Sequence, residues 1–402
     1  MNVLQINTAD TKGGAGKVAY CLNNELVKRG HKSSLLVSRK YSRNKNVKLI
    51  RPDWDWRRRI FKKLTYYLAN DLDLFPSGQI FKMPEFKSAD IIHCHNLHSN
   101  YFNLNTLEKI SAVKPVVWTF HDMWPLTAHC AHSFNGVLKN NGFFTCPALD
   151  IYPPIAWHNE KYLEGKKTKI YANSNFYIVA PSKWLAEKVS QSILKNKLLS
   201  VIYNGIDGSV FKPYNKQECR QSLNLPAGKK IILIVAKRGQ LNPWKGGNWA
   251  QETIKAFKDS PGIFFVDLGG DANFNTDKVK TVSFLNNQEI LAKYYSAADM
   301  LLYPSLADNC PLVVLEAMAC GLPIVSFNTG GIPELVEHKI NGYIAEYKNQ
   351  KDMETSVKYL LNLPPWEIEK IKQYSINKIK NGFTVEKMTD QYIRLYETIL
   401  NK

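Results

Sequence analysis

The sequence has no Cys-x-x-Cys pair. Its seven cysteines (21, 94, 130, 146, 219, 310 and 320) are odd in number and scattered, which a reducing compartment permits and a disulfide framework does not resemble. No apolar run approaches the ~18 residues of a membrane span. The start, MNVLQIN, reads as entry into a strand rather than a charged-then-apolar leader. A cytoplasmic protein is expected, with any membrane contact peripheral. Glycine and proline are sparse, 22 and 19 of 402 residues, and there is neither a low-complexity tract nor an internal repeat, which argues against fibrous, disordered and solenoid classes. Acidic residues are scarce too: 35 Asp+Glu face 53 Lys+Arg, a net charge of +18. The deficit belongs to one half, since residues 1–200 hold 29 basic and 14 acidic residues and the remainder 24 and 21. That asymmetry directs the first half toward something anionic: nucleic acid, a membrane surface or a phosphorylated substrate.

What is present is a packed α/β pattern. The composition is 45% hydrophobic, and the length suits two domains. Short apolar runs recur between helix-length segments: VLQI, SLLVS, DIIHCH, PVVWTF, FYIVAPS and LSVIYN in the first half. KIILIVA, IFFVDLG, KTVSFL, DMLLYPS and PIVSF follow in the second. Strands alternating with helices predict parallel βα units. Turn formers at Asn204-Gly205-Ile206-Asp207-Gly208 place the linker near residues 205–212. From Thr384, as N-cap, a last helix carries Met388, Tyr392, Leu395, Tyr396 and Leu400 along one face.

Several motifs follow strands. Gly13, Gly14 and Gly16 lie between the first strand and a helix, where backbone N–H groups and the helix dipole favour an anion. A P-loop ATPase would need a hydroxyl after Lys17, and Val18 has none; a plain tight turn is the other alternative. Asp53/Asp55 and Asp71/Asp73 have the D-x-D form of metal-dependent sugar transferases, but neither pair follows a strand, so solvated charges or caps are expected. Histidines 93, 95, 98, 121, 129 and 132 with Cys94, Cys130 and Cys146 lack the spacing of a zinc site. His93 and His95 point the same way from one strand end, which suits one of them to a cleft. His121, directly after PVVWTF, is a site candidate because ligands bind beyond the carboxyl ends of strands; a buried structural histidine is the alternative. In the second half Asp308 lies in the loop after DMLLYPS and Glu316 in the following helix, two acceptors suited to sugar hydroxyls beside a positive helix end. Gly330-Gly331 repeats the strand-glycine-helix order as a second anion cradle. Lys237, Arg238 and Lys245 supply positive charge after KIILIVA. Trp54, Trp56, Arg57, Arg58, Arg59, Phe61, Lys62 and Lys63 form a basic aromatic stretch whose helical reading aligns Ile60, Leu64 and Tyr67 or Leu68. This is either an interfacial helix on anionic lipid or an amphipathic helix packed on its own domain.

The second half resembles the retaining nucleotide-sugar glycosyltransferases of family 4, of GT-B fold. Asp308 to Glu316 matches their acid-x7-acid motif, and AMACGLPIVSFNTGGIPELV is close to the pattern that follows it. KTVSFLNNQEILAKYYSAADMLLYPS resembles their base-binding segment and NGID their inter-domain turn, while DIIHCHNLHSNYF and WTFHDMWPLTAHC resemble the exopolysaccharide, colanic-acid-type branch. The resemblance implies two Rossmann-like domains, 1–204 for the acceptor and 205–383 for the donor, with a helix over 384–402 returning to the first. It also implies roles: Glu316 on the donor ribose, Asp308 on the transferred sugar, and Lys245 with Arg238 or Lys237 on the diphosphate. Leu285, Asn309, Cys310, Leu312, Val313, Gly330 and Gly331 would line the donor, Gly13–Gly16 would face its diphosphate and His121 the reacting sugar. The partners so implied are a UDP- or GDP-type sugar and a lipid-linked or oligosaccharide acceptor, without nucleic acid, cofactor or tight metal. Three departures stand out: the first acid is Asp, Pro311 replaces a glycine, and Arg238 lies farther from Lys245 than the family's pair. Rival readings are a non-hydrolysing nucleotide-sugar epimerase, a P-loop-like ATPase and a basic nucleic-acid binder.

Overall fold

The structure, a computed structural model, describes residues 1–51, 55–134, 136–236, 243–270, 275–285 and 287–401, with the side chains of 55–58 outside that description. It divides into two compact units: Met1–Asn204 with Met388–Lys402, and Gly205–Lys387.

The first unit is built on β1 (Asn2–Ala9), β2 (Lys32–Arg39), β3 (Val47–Leu49), β4 (Ile91–Cys94), β5 (Val116–Thr119), β6 (Tyr177–Ala180) and β7 (Leu199–Val201). They form a sheet of order β3-β2-β1-β4-β5-β6-β7, parallel at every pairing. The second unit has β8 (Lys230–Val235), β9 (Ile263–Leu268), β10 (Val279–Val282), β11 (Met300–Tyr303), β12 (Ile324–Phe327) and β13 (Gly342–Ala345). Their order is β10-β9-β8-β11-β12-β13, again all parallel. Helices cover both faces of such a sheet, so its central strands are apolar throughout rather than alternating. All four residues of β4, β5, β11 and β12 are buried. The strands that apolar runs do not announce are β3, three residues with exposed Lys48, and β13, which opens on Gly342; both are edge strands.

In each sheet the strand order reverses once about the first strand: between β1 and β4, and between β8 and β11. At such a reversal the loops leaving the two carboxyl ends diverge and open a crevice. The chain beyond β1 is the Gly13–Gly16 loop and that beyond β4 holds His95 and His98. Beyond β8 comes Lys245, and beyond β11 comes Asp308.

The last helix, Val385–Leu400, begins where Thr384 Oγ1 accepts the Lys387 N–H at 3.3 Å. Met388, Tyr392 and Tyr396 are buried in the first unit. The Tyr396 hydroxyl meets His93 Nδ1 at 2.6 Å, the Tyr392 hydroxyl meets Thr119 Oγ1 at 2.8 Å, and Asp390 pairs with Arg29.

Candidate active site

The second unit concentrates its polar chemistry after β8 and β11. One oxygen of Asp308, Oδ2, accepts from Lys245 Nζ at 2.5 Å, Tyr303 Oη at 2.5 Å and Ser305 Oγ at 3.1 Å. Burial, and then the adjoining Asp308, push the Tyr303 phenol well above its ordinary value, so it remains a donor. Two glycines make this convergence possible. Gly246 and Gly330 have φ of +75° and +56°, and a Cβ on either would stand 1.7 Å from a backbone oxygen, that of Pro304 or of Asp308 respectively. No side chain fits there, and only glycine adopts such φ at little cost. Gly246 thereby seats Lys245 against the β11 loop, and Gly330 seats the next loop under Asp308.

Glu316 lies inside the helix Leu312–Ala319, 2% exposed, and accepts from Tyr295 Oη at 2.9 Å. A carboxylate at that depth needs hydrogen-bond donors to hold it, and Tyr295, raised well above its ordinary value by burial and then by Glu316, stays protonated to serve. Asn309 and Cys310 are buried in the loop before this helix, Leu312 and Val313 half-buried in its first turn, and Leu285 half-buried after β10. One expectation is corrected. The Gly331 N–H donates to the Asp308 carbonyl at 3.1 Å, so Gly330-Gly331 braces the Asp308 loop instead of opening its Gly331 amide to an anion. Lys237 and Arg238 lie outside the described residues.

In the first unit the helix Gly14–Lys28 starts at Gly13 without a side-chain cap, which leaves first-turn N–H groups for an anion. Gly13 and Gly14 are exposed, whereas Gly16 is buried, its Cβ position 3.0 Å from the Ala9 carbonyl oxygen. His121 does not act alone. Its Nε2 meets His95 Nδ1 at 2.9 Å, and His95 Nε2 meets the Gln5 amide at 2.9 Å. With the amide set to satisfy both ends, Gln5 donates to His95 and accepts the Asn23 N–H at 3.2 Å. His95 then carries its proton on Nδ1 and gives it to His121 Nε2, so His121 holds its own proton on Nδ1. Burial pushes His121 down to about 4, against the pull of Asp122, so the ring is neutral near pH 7. Beside it, Asp122 Oδ2 meets His98 Nε2 at 2.9 Å, and His98 Nδ1 meets Ser99 Oγ at 2.6 Å. Burial opposes the Asp122 charge, but His98 and other partners hold its carboxyl below the ordinary value.

Other candidates go elsewhere. His93 and His95 are both fully buried, so neither side chain opens into a cleft; His93 is tied between Thr119 (2.7 Å) and Tyr396. Asp71 is neither solvated nor a cap: it is 3% exposed, accepts from Trp124 Nε1 at 2.9 Å, and burial raises its carboxyl. Asp73 does sit in a surface network with Asn70, Tyr162 and Lys166, while Asp53 lies outside the described residues. Cys130 donates its N–H to Cys146 Sγ at 3.2 Å, and hydrogen bonds from Cys130 and then His129 outweigh burial to bring the Cys146 thiol to about 4. Among the described residues no group of three or more His, Cys, Asp or Glu could hold a metal ion, and no helix is long and apolar enough to cross a membrane. Trp54 lies outside the described residues, as do the side chains of Trp56, Arg57 and Arg58. Arg59, Lys62 and Lys63 are exposed, but Phe61 turns inward onto Phe75, ring centroids 5.0 Å apart. Sequence reasoning did not reach Tyr295, Tyr303, Ser305 or Gln5. Tyr303 and Ser305 lie in the quoted DMLLYPS and Tyr295 in the base-binding segment, but pairing them with the acids requires the fold.

Comparison with known proteins joins the two halves. Residues 12–209 match the family model described as Glycosyltransferase Family 4, and residues 215–380 that described as Glycosyl transferases group 1. A putative colanic acid biosynthesis glycosyl transferase of Escherichia coli, WcaC, is 22% identical across 99% of this chain and all of its own. A D-inositol 3-phosphate glycosyltransferase of Mycolicibacterium smegmatis is 24% identical over 69% of this chain, which spans 64% of that relative. Among solved structures, sucrose-phosphate synthase from Thermosynechococcus elongatus superposes with TM-score 0.69 at 18% identity, covering 99% of both chains. The Anabaena protein HepE, solved with UDP, gives 0.66 at 15% identity over 99% of this chain and all of its own.

Proposed function

The chain belongs to the family 4, group 1 glycosyltransferases of GT-B fold, and from that premise we propose that it moves a sugar from a nucleoside diphosphate to a lipid-linked or oligosaccharide acceptor in surface-polysaccharide synthesis. The arrangement that carries this reading is the Asp308–Lys245 pair, braced by Gly246 and Gly330 at the β8/β11 reversal, with Glu316 one helix turn further on. In this reading the second unit holds a UDP- or GDP-type donor. Glu316 takes the ribose hydroxyls, Asp308 the transferred sugar, Leu285 the base, and Lys245 with Lys237 or Arg238 the diphosphate. Gly13, Gly14 and Gly16 present N–H groups to an anion, and neutral His121 faces the reacting sugar.

The anomer is retained. The bond from C1 to the phosphate oxygen breaks on the face where the acceptor oxygen bonds to C1, and the acceptor hydroxyl's proton passes to the leaving phosphate. The lysine and the helix N-termini stabilise the growing negative charge. A non-hydrolysing epimerase would share the fold but interconvert donors without an acceptor; the match of both halves to transferase models does not favour it. The test is a panel of UDP- and GDP-sugars. A donor that raises Tm and yields product only with acceptor, of unchanged anomeric configuration by NMR, supports the proposal. An inverted product, or donor interconversion without acceptor, refutes it.

A further inference from the structure

The helix Asp55–Tyr67 carries two apolar rows, and the unit buries only one. Phe61 and Thr65 face inward, Phe61 onto buried Phe75 and Thr65 4% exposed, with Ala69 and Leu72 continuing into the core. The other row, Ile60, Leu64 and Tyr67 at i, i+4 and i+7, faces solvent, and Leu68 extends it. Tyr67 is 67% exposed, and Ile60 and Leu68 are 49% exposed each. A helix that packs on its own domain normally turns its apolar side inward, so a second row left outside calls for a partner.

The segment after Pro153 holds this row in place. The Ala156 N–H donates to the Tyr66 carbonyl at 2.9 Å, Trp157 Nε1 to the Tyr67 carbonyl at 2.9 Å, and Asn159 Nδ2 to the Ala69 carbonyl at 3.1 Å. These bonds cap the helix end and fix Trp157, half-exposed, beside Tyr67. Exposed Arg59, Lys62 and Lys63 flank the row. Tryptophan and tyrosine with a polar end suit the headgroup level of a bilayer, and lysine and arginine beside them meet anionic lipid.

We infer that Ile60, Leu64, Tyr67, Leu68 and Trp157, with Arg59, Lys62 and Lys63 around them, form a docking face for an anionic bilayer surface. A second copy of this chain fits less well, because a two-fold contact through this row would bring like-charged lysines together. Nucleic acid would leave the apolar row uncovered. The inference does not rest on the transferase reading, although it would bring a lipid-linked acceptor to the enzyme.

The experiment is co-sedimentation of the full chain with phosphatidylglycerol/phosphatidylcholine vesicles and with pure phosphatidylcholine vesicles, at low and high salt. Donor binding by thermal shift is followed on the same samples. Binding to anionic vesicles alone, lost at high salt, is expected. Leu64→Ser/Tyr67→Ser and Lys62→Glu/Lys63→Glu should each lower the partition at least about tenfold while leaving Tm and donor binding at the wild-type level. No vesicle binding by the folded wild type, or equal binding by the variants, overturns the docking face and leaves the transferase reading standing. Self-association abolished by Leu64→Ser in place of vesicle binding assigns the face to a second copy. Vesicle binding without any donor binding refutes the transferase reading instead.

Discussion

Lys245 Nζ and Asp308 Oδ2 stand 2.5 Å apart, and the same carboxylate oxygen takes the hydroxyls of Tyr303 and Ser305. Without a donor, the lysine expected to neutralise the diphosphate is therefore engaged by the acid expected to hold the sugar. Asp308→Asn keeps the shape but withdraws a negative charge from where the proposed diphosphate would sit. Transfer should fall at least about tenfold, as the loss of a charged hydrogen bond worth about 1.5–3 kcal/mol predicts. Affinity for bare UDP or GDP should hold or rise. Calorimetric titration of the nucleotide alone checks this, and a fall in its affinity comparable to that of a Glu316 variant would refute the division of roles.

Glu316 predicts the opposite pattern. Glu316→Ala should lower affinity for both the bare nucleotide and the sugar donor, with turnover down roughly tenfold or more. Tyr295→Phe removes the hydroxyl that holds the carboxylate at 2.9 Å, so it should weaken nucleotide binding in the same direction but less. Near-normal turnover in Glu316→Ala would remove the argument from the acid pair.

Much of this was legible because parallel strands buried on both faces announce themselves as apolar runs, and loops after such strands are where ligands sit. That rule singles out Asp308, Lys245, the glycine loop and His121 as candidates from sequence, and each follows the carboxyl end of a strand in the structure. It could not place Gly330-Gly331: strand, glycines and helix look alike whether an amide faces an anion or, as with Gly331, the carbonyl of Asp308. Nor could spacing separate Asp71 from Asp73, two residues apart, since one turns into the core toward Trp124 and the other out toward Lys166. The apolar row of the helix Asp55–Tyr67 was visible as a period, but which side faced the core depended on Phe75, distant in sequence.

A metal-free mechanism makes a direct prediction. If Lys245, a neighbouring base and helix N-termini stabilise the leaving diphosphate, activity in EDTA should match that with added Mg²⁺ or Mn²⁺. Initial rates with and without chelator decide it. Absolute dependence on Mn²⁺ would return attention to Asp53, Asp55 and Asp73.

The histidine cluster predicts how stability depends on pH. Burial, reinforced by neighbouring rings, pushes His93 and His95 well below their ordinary value, and burial takes His121 to about 4. Below about 6.5 the unfolded chain protonates these rings while the native protein does not, so stability must fall as pH falls through that window. Each such proton is worth about 1.4 kcal/mol per pH unit. Asp71, raised by burial, works against this, because the native form keeps its proton to higher pH than the unfolded chain. His129, where burial is outweighed by hydrogen bonds with Cys146 that raise the ring, opposes the drop as well, whereas His31, lowered by burial, adds to it, so four lowered histidines stand against two raised groups. Asp10 and Asp122, held low in the native protein, contribute stability that is lost only below the ordinary carboxyl value, so their window lies beneath that of the histidines. Tm of the wild type should therefore drop steadily between pH 7 and 5. His121→Gln, which cannot take up the proton, should show a shallower drop. Calorimetry across that range measures both slopes, and a flat wild-type profile, or identical slopes for the two proteins, would refute the neutral relay from Gln5 through His95 to His121.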